Sequence, residues 1–197
     1  MAAKSNAMKK RTVTYFMSPG AAHTQQVLKI AAKYAEDTGI KTVLVATCSG
    51  KTALEAADIF PSTARIIAIT HVTGFAAPDI QELSDENRSA LIKKKITVFT
   101  GQHAFGGVGR AVRSKLGTYQ VDEIMAFTLR VFGQGTKVAI ELALMAADAG
   151  LIRTDETVIS IGGTGTGADT ALALQGANSA RFFDLKVREI LCKPRDF

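Results

Sequence analysis

The turn Thr47-Cys48-Ser49-Gly50-Lys51-Thr52 gathers hydroxyls, a thiol, a glycine and a cation between an apolar run and a helical pattern. A helix start leaves N–H groups without intrahelical partners and carries the positive end of the helix dipole, so this turn suits a phosphate. It is not a P-loop, because GxxxxGK[ST] needs Gly at position 45, where Val45 stands. Without a ligand, the same residues read as a Ser49 cap on the helix.

A second turn, Gly162-Gly163-Thr164-Gly165-Thr166-Gly167-Ala168-Asp169-Thr170, has four glycines and three threonines in nine residues. Backbone at Gly163, Thr164, Gly165, Thr166 and Gly167 can wrap closely around an oxyanion while the hydroxyls donate to it. Its GxGxG spacing, late in the chain, differs from the GxGxxG dinucleotide fingerprint. The reading without a ligand is a glycine loop capped by Asp169.

Three further turns carry candidates. His71, Thr73, Gly74 and Phe75 follow one strand pattern, His103 follows another, and Lys137 lies near a helix start after two glycines. His71 and His103 could face one crevice, where an imidazole can act as acid or base, and Lys137 could hold an anion. No nucleophile, base and orienting carboxylate stand together in the sequence, and Ser49 is outside a GxSxG elbow. His23, His71, His103, Cys48 and Cys192 lack metal-ligand spacing, so no protein-ligated metal is expected. Binding of a phosphate-bearing small molecule is the expected function. The alternative is an enzyme acting on a small phosphorylated metabolite, with His71, His103 or Lys137 in proton transfer.

The elements that must position these turns alternate along the chain. Strands are expected at Thr12–Met17, Thr42–Ala46, Arg65–Thr70, Ile96–Phe99 and Thr157–Ile161, and an alternating edge strand at Arg181–Cys192. Helices are expected from Thr24, as N-cap, to Gly39, and at Ser49–Phe60, Ser84–Lys94, Val121–Phe132 and Thr136–Ala149. Near-continuous apolar strands, each followed by a helix, predict an α/β fold. It is a three-layer α/β/α sandwich with a mostly parallel sheet and an antiparallel C-terminal edge strand.

The 197 residues, 47% of them hydrophobic and 21% charged, fit one globular domain and exclude disorder. No apolar run is long enough to span a bilayer, and the start lacks a signal-peptide pattern. The net charge of +6 falls to +2 without residues 1–11, which carry four basic and no acidic side chains. The basicity therefore belongs to a tail, and neither a nucleic-acid nor a membrane partner is expected. Ser5-Asn6-Ala7 before Met8 looks like a cleavage scar, so residues 1–7 are read as an expression-vector remnant and 8–197 as the domain. Two cysteines, far apart, point to a reducing, cytoplasmic setting.

The segment Val43-Leu-Val-Ala-Thr-Cys-Ser-Gly-Lys-Thr-Ala53, followed by Ala64-Arg-Ile-Ile-Ala-Ile-Thr70, resembles the C-terminal alpha/beta domain of pyruvate kinase. A group of stand-alone archaeal and bacterial relatives of that domain is similar over about residues 11–195. The likeness rests on Tyr15-Phe16, Pro19-Gly20, His71-x-Thr-Gly-Phe75, Phe132-Gly-Gln-Gly-Thr-Lys-Val138, Met145-Ala-Ala-Asp-x-Gly150, Gly167-Ala-Asp-Thr170, Phe182-Phe-Asp184 and Pro194-Arg195. The resemblance implies the pyruvate kinase C-terminal fold and a phosphate pocket at the Thr47–Thr52 turn, without the kinase reaction, whose TIM barrel a chain of this length cannot also hold. It further implies a phosphorylated planar cofactor, FMN (flavin mononucleotide), and, because such effector domains lie at subunit interfaces, a homo-oligomer. An unpaired edge at the final strand would favour the same association.

Overall fold

The structure, a computed structural model, describes residues 10–197. The remnant expected at residues 1–7 and the start at Met8 lie outside them. Seven strands form one sheet: β1 (Thr14–Phe16), β2 (Thr42–Ala46), β3 (Arg65–Thr70), β4 (Thr97–Thr100), β5 (Thr157–Gly162), β6 (Thr170–Gln175) and β7 (Lys186–Pro194). Their order is β1-β7-β6-β5-β2-β3-β4, and β6 alone runs against the others. Among the described residues there are six α-helices: α1 (Thr24–Thr38), α2 (Lys51–Ile59), α3 (Asp85–Lys93), α4 (Val108–Leu116), which packs on α5 and buries none of its residues, α5 (Val121–Arg130) and α6 (Gln134–Asp148).

Alternation along the strands builds two cores, as a sheet covered on both faces requires. Val43 and Val45 of β2 pack with Val27, Leu28 and Ala53 from α1 and α2, whereas Leu44 faces the core of α5 and α6. β3 divides the same way, with Ile66 and Ala68 on one side and Ile67 and Ile69 on the other. α6 is buried from Gly135 to Ala147 except at Val138, and so buries Lys137 and Glu141, because it crosses β2, β5 and β6 on one face and takes α5 on its back. Each fully buried Leu or Ile here contributes about 1.5–3 kcal/mol by leaving water.

The expected α/β fold with a mostly parallel sheet is the fold found, with three local differences. The C-terminal strand is one place in from the edge. β1 pairs parallel with it, Thr14 opposite Cys192 and Phe16 opposite Pro194, and the antiparallel step lies on its other side, against β6. That strand also starts later than Arg181. Residues Ser179–Asp184 instead form a 3-10 helix, held by Ser179 N–H and Oγ–H donating to Asp148. Finally, Thr24 does not cap α1. Its buried hydroxyl donates to Ala21 O (2.8 Å) and accepts from Ala168 N (2.9 Å), which ties the helix to the glycine-rich turn.

Candidate functional site

Ligands in open α/β sheets lie at the carboxyl ends of strands, where successive connections leave in opposite directions. That point is between β2 and β5: β2 continues through α2 toward β3 on one side, whereas β5 continues through the glycine-rich turn to β6 on the other. A cleft of about 880 Å³ opens there. Its walls include Thr47, Cys48, Ser49, Lys51 and Thr52, then His71, Phe75, His103 and Lys137, then Gly163, Gly165, Thr166 and Gly167. The turns singled out in the sequence are thus brought to one place by the carboxyl ends of β2, β3, β4 and β5, with Lys137 added from α6.

Four expected site residues stand outside the lining. Gly50 (φ +94°), not Ser49, is the residue before α2, and its Cα faces Leu83 and Leu91. Ser49 instead gives its carbonyl to Asn87 Nδ2 at 2.8 Å. Thr73 accepts from Gln81, and Gly74 N–H donates to Ile80 O in the same loop. Thr164 N–H donates to Asp169 Oδ2 at 3.0 Å.

At the start of α2, the N–H groups of Cys48 through Ala53 donate to no protein acceptor among the described residues, and Leu54 N–H is the first to find one, Gly50 O. This is the local electropositive surface that a helix N-terminus presents. Arg110 and Arg130 line the cleft as well. Arg110 lies 4.9 Å over the Phe75 ring and Arg130 donates to Gln134; neither meets a carboxylate among the described residues.

The glycine-rich turn joins antiparallel β5 and β6 and is followed by no helix. Asp169, fully buried, braces it: its carboxylate accepts from Gly20 N, Thr164 N and the Thr170 hydroxyl. Gly162 and Gly163 are needed for packing against Gly135 and Gly167, whereas Gly165 (φ +74°) has nothing near its Cα and is the one free to meet a ligand.

An aromatic wall faces these turns. The His71 and Phe75 rings are 4.1 Å apart, and Phe75 and His103 are 5.1 Å apart. Burial, opposed by Glu141 and reinforced by His71, Lys137 and Arg110, pushes His103 down to about 4, so it is neutral in ordinary conditions. Lys137, expected as an anion ligand or else a solvated cation, lines the cleft but is removed from solvent. It is buried against Glu141, to which its ammonium donates, and Glu141 also accepts from Phe105 N at 2.9 Å.

One constellation escaped the sequence reading. His71 Nδ1 lies 2.6 Å from Glu82 Oε2, and His71 Nε2 lies 3.2 Å from Cys48 Sγ. A nucleophile, a base and an orienting carboxylate therefore do stand together. Their ligand-capable atoms lie within 4.8 Å of one another, which dispersed sequence spacing concealed.

The strand order and the helices on it define an α/β domain with a cleft at the carboxyl ends of its central strands. The chain belongs to the family described as pyruvate kinase, alpha/beta domain, whose model matches residues 25–173. Among solved structures it is similar to a pyruvate kinase from Cryptosporidium parvum (14% identity, TM-score 0.41, 78% of this chain and 23% of that one). It is also similar to Cryptosporidium parvum pyruvate kinase in complex with ADP (16% identity, TM-score 0.40, 87% of this chain and 24% of that one). The chain thus spans less than a quarter of the length of these enzymes. Among the described residues, no helix is long and apolar enough to cross a membrane.

Proposed function

We propose that this domain binds a phosphate-bearing small molecule, FMN or a phosphorylated metabolite, in the cleft at the carboxyl ends of β2 and β5. The carrying observation is the run of unpaired N–H groups from Cys48 to Ala53 beside the hydroxyls of Thr47, Ser49 and Thr52, with Lys51, Arg110 and Arg130 on the same cleft. A dianion gains charge-assisted hydrogen bonds there that a neutral ligand does not. The clustered rings of His71, Phe75 and His103 offer aromatic faces for a planar group, which favours the flavin.

Titration with FMN, riboflavin and inorganic phosphate, followed by flavin fluorescence and calorimetry, tests the reading. FMN should bind more tightly than riboflavin, and Thr52→Val should weaken FMN by about 1–3 kcal/mol while leaving riboflavin almost unchanged. Equal affinity for both flavins, or no binding of FMN or phosphate at about 1 mM, would overturn it.

The domain is further proposed to form a homo-oligomer, through a different surface from the final strand. Val121, Ile124, Phe127 and Val131, spaced by three and four along α5 and just beyond it, are all exposed. Such a stripe on a water-facing helix is costly unless covered. Light scattering should give more than one chain per particle, and Ile124→Arg should reduce that mass. The two free thiols, at Cys48 and Cys192, fit a reducing, cytoplasmic location.

A further inference from the structure

Cys48 and His71 line the cleft, while Glu82 stands behind His71 and away from the lining. A carboxylate only accepts, so the Glu82 contact puts a hydrogen on His71 Nδ1, and in the neutral ring Nε2 keeps a lone pair facing Cys48 Sγ. The thiol is then the donor in the 3.2 Å contact, poised to lose its proton to His71. Phe75, against the His71 ring at 4.1 Å, limits its rotation, so base and nucleophile keep this alignment. An activated cysteine needs this arrangement: nucleophile, base in reach, and a third group orienting the base.

The neighbourhood of the sulfur indicates what it would attack. Cys48 is followed directly by the unpaired N–H groups of Ser49 to Ala53, so a phosphate bound by them sits a few atoms from Sγ. An electrophilic carbon close to a phosphate is what an acyl phosphate provides. We propose that Cys48, His71 and Glu82 form a nucleophile, base and positioning carboxylate that move the acyl group of an acyl phosphate onto the Cys48 sulfur and then to water. The substrate class rests on the phosphate-binding reading above; the triad itself does not.

In the first half-reaction Sγ attacks the carbonyl carbon as the thiol proton passes to His71 Nε2. A C–S bond forms, and the carbonyl electron pair becomes an oxyanion. Collapse breaks the bond from carbon to the phosphate oxygen, and phosphate departs with that electron pair and the proton held by His71. In the second half-reaction water attacks the thioester carbon and gives its proton to His71. The C–S bond breaks, Cys48 leaves with the pair and recovers the proton, and the carboxylic acid is released. The sum is an acyl phosphate plus water giving a carboxylic acid plus phosphate, with no oxidant or reductant. Burial, with the charge of Glu82 second, pushes the Cys48 thiol up to about 11, so the resting group is a thiol and depends on His71 for its activation.

The test uses the full chain and acetyl phosphate, with intact-protein and peptide mass spectrometry after acid quench and a colorimetric assay for released phosphate. The expected result is one acetyl group on Cys48 and catalytic phosphate release. Cys48→Ala should lose both, and His71→Gln should slow acetylation by on the order of 10². Glu82 is a positioning residue, so Glu82→Gln should slow the reaction and also erase the downfield Nδ1–H proton resonance of His71, a signal that a merely structural role would not set. Absence of acetyl on Cys48, or equal phosphate release by Cys48→Ala, overturns the proposal. So does stoichiometric zinc retained by the wild type and lost in Cys48→Ala, which would make the cluster a metal centre. Calorimetry with inorganic phosphate on the same samples separates the two readings: phosphate binding without acetylation removes the chemistry alone, and neither removes both.

Discussion

His103 should act as a built-in acid sensitivity of the fold. Its side chain is held at about 4 against an ordinary 6.5, chiefly by burial beneath Phe75 and Arg110 with His71 and Lys137 nearby. The unfolded chain exposes the ring and restores the ordinary value, so between about pH 6.5 and 4 the unfolded state binds the extra proton and stability falls as pH falls. Integrating the two values gives a loss of about 2 kcal/mol at pH 5 and about 3 kcal/mol below pH 4, relative to pH 8. Urea unfolding at pH 8 and pH 5 measures this, and His103→Gln, which cannot titrate, supplies the baseline that removes the contribution of carboxylates. The wild type should lose about 2 kcal/mol more than His103→Gln over that interval. Equal losses in the two proteins would show that His103 is hydrated in the folded chain and that the burial argument is wrong.

Two other buried charges give predictions of opposite chemistry. Lys137→Met takes the ammonium partner from the buried Glu141 side chain at the centre of α6, and should cost about 3–5 kcal/mol in urea unfolding; Glu141→Gln, which keeps an oxygen for Phe105 N, should cost less. Asp169→Ala removes the acceptor shared by Gly20 N, Thr164 N and the Thr170 hydroxyl, so it should lower stability by about 3 kcal/mol and speed hydrogen exchange at Gly20 and Thr164. Unchanged exchange at those two amides would show that the loops hold without it.

The parallel body of the sheet was legible because β2, β3 and β5 are apolar runs beside turn signals, and burial on both faces demands that pattern. β6 was missed: Thr170–Gln175 follows a glycine-rich turn with no helical segment between, and an antiparallel return inside an alternating βα series has no marker in periodicity. α4 was missed as well, and none of its residues is buried. In the site, the hydroxyl and glycine turns were visible as local composition. Glu82 was not, since it reaches His71 across a loop whose course is set by Gly74 N–H, Gln81 and Leu83 N–H rather than by any fixed spacing. The buried state of Lys137 was equally hidden, because only the packing of α6 between the sheet and α5 removes it from water.

The pairing of β1 with β7 also bears on how the chain assembles. Thr14 must find Cys192, and Phe16 must find Pro194, so one margin of the sheet is stitched by residues from opposite extremes of the described chain. Closing so long a loop yields few contacts for the entropy it consumes, and contacts of that kind form late. During synthesis β2, α2 and β3 can already dock on one another, while Tyr15 and Phe16 wait until β7 has been made. Until then β6 has no partner on its β7 side, and the nascent domain is most exposed to mispairing at that margin.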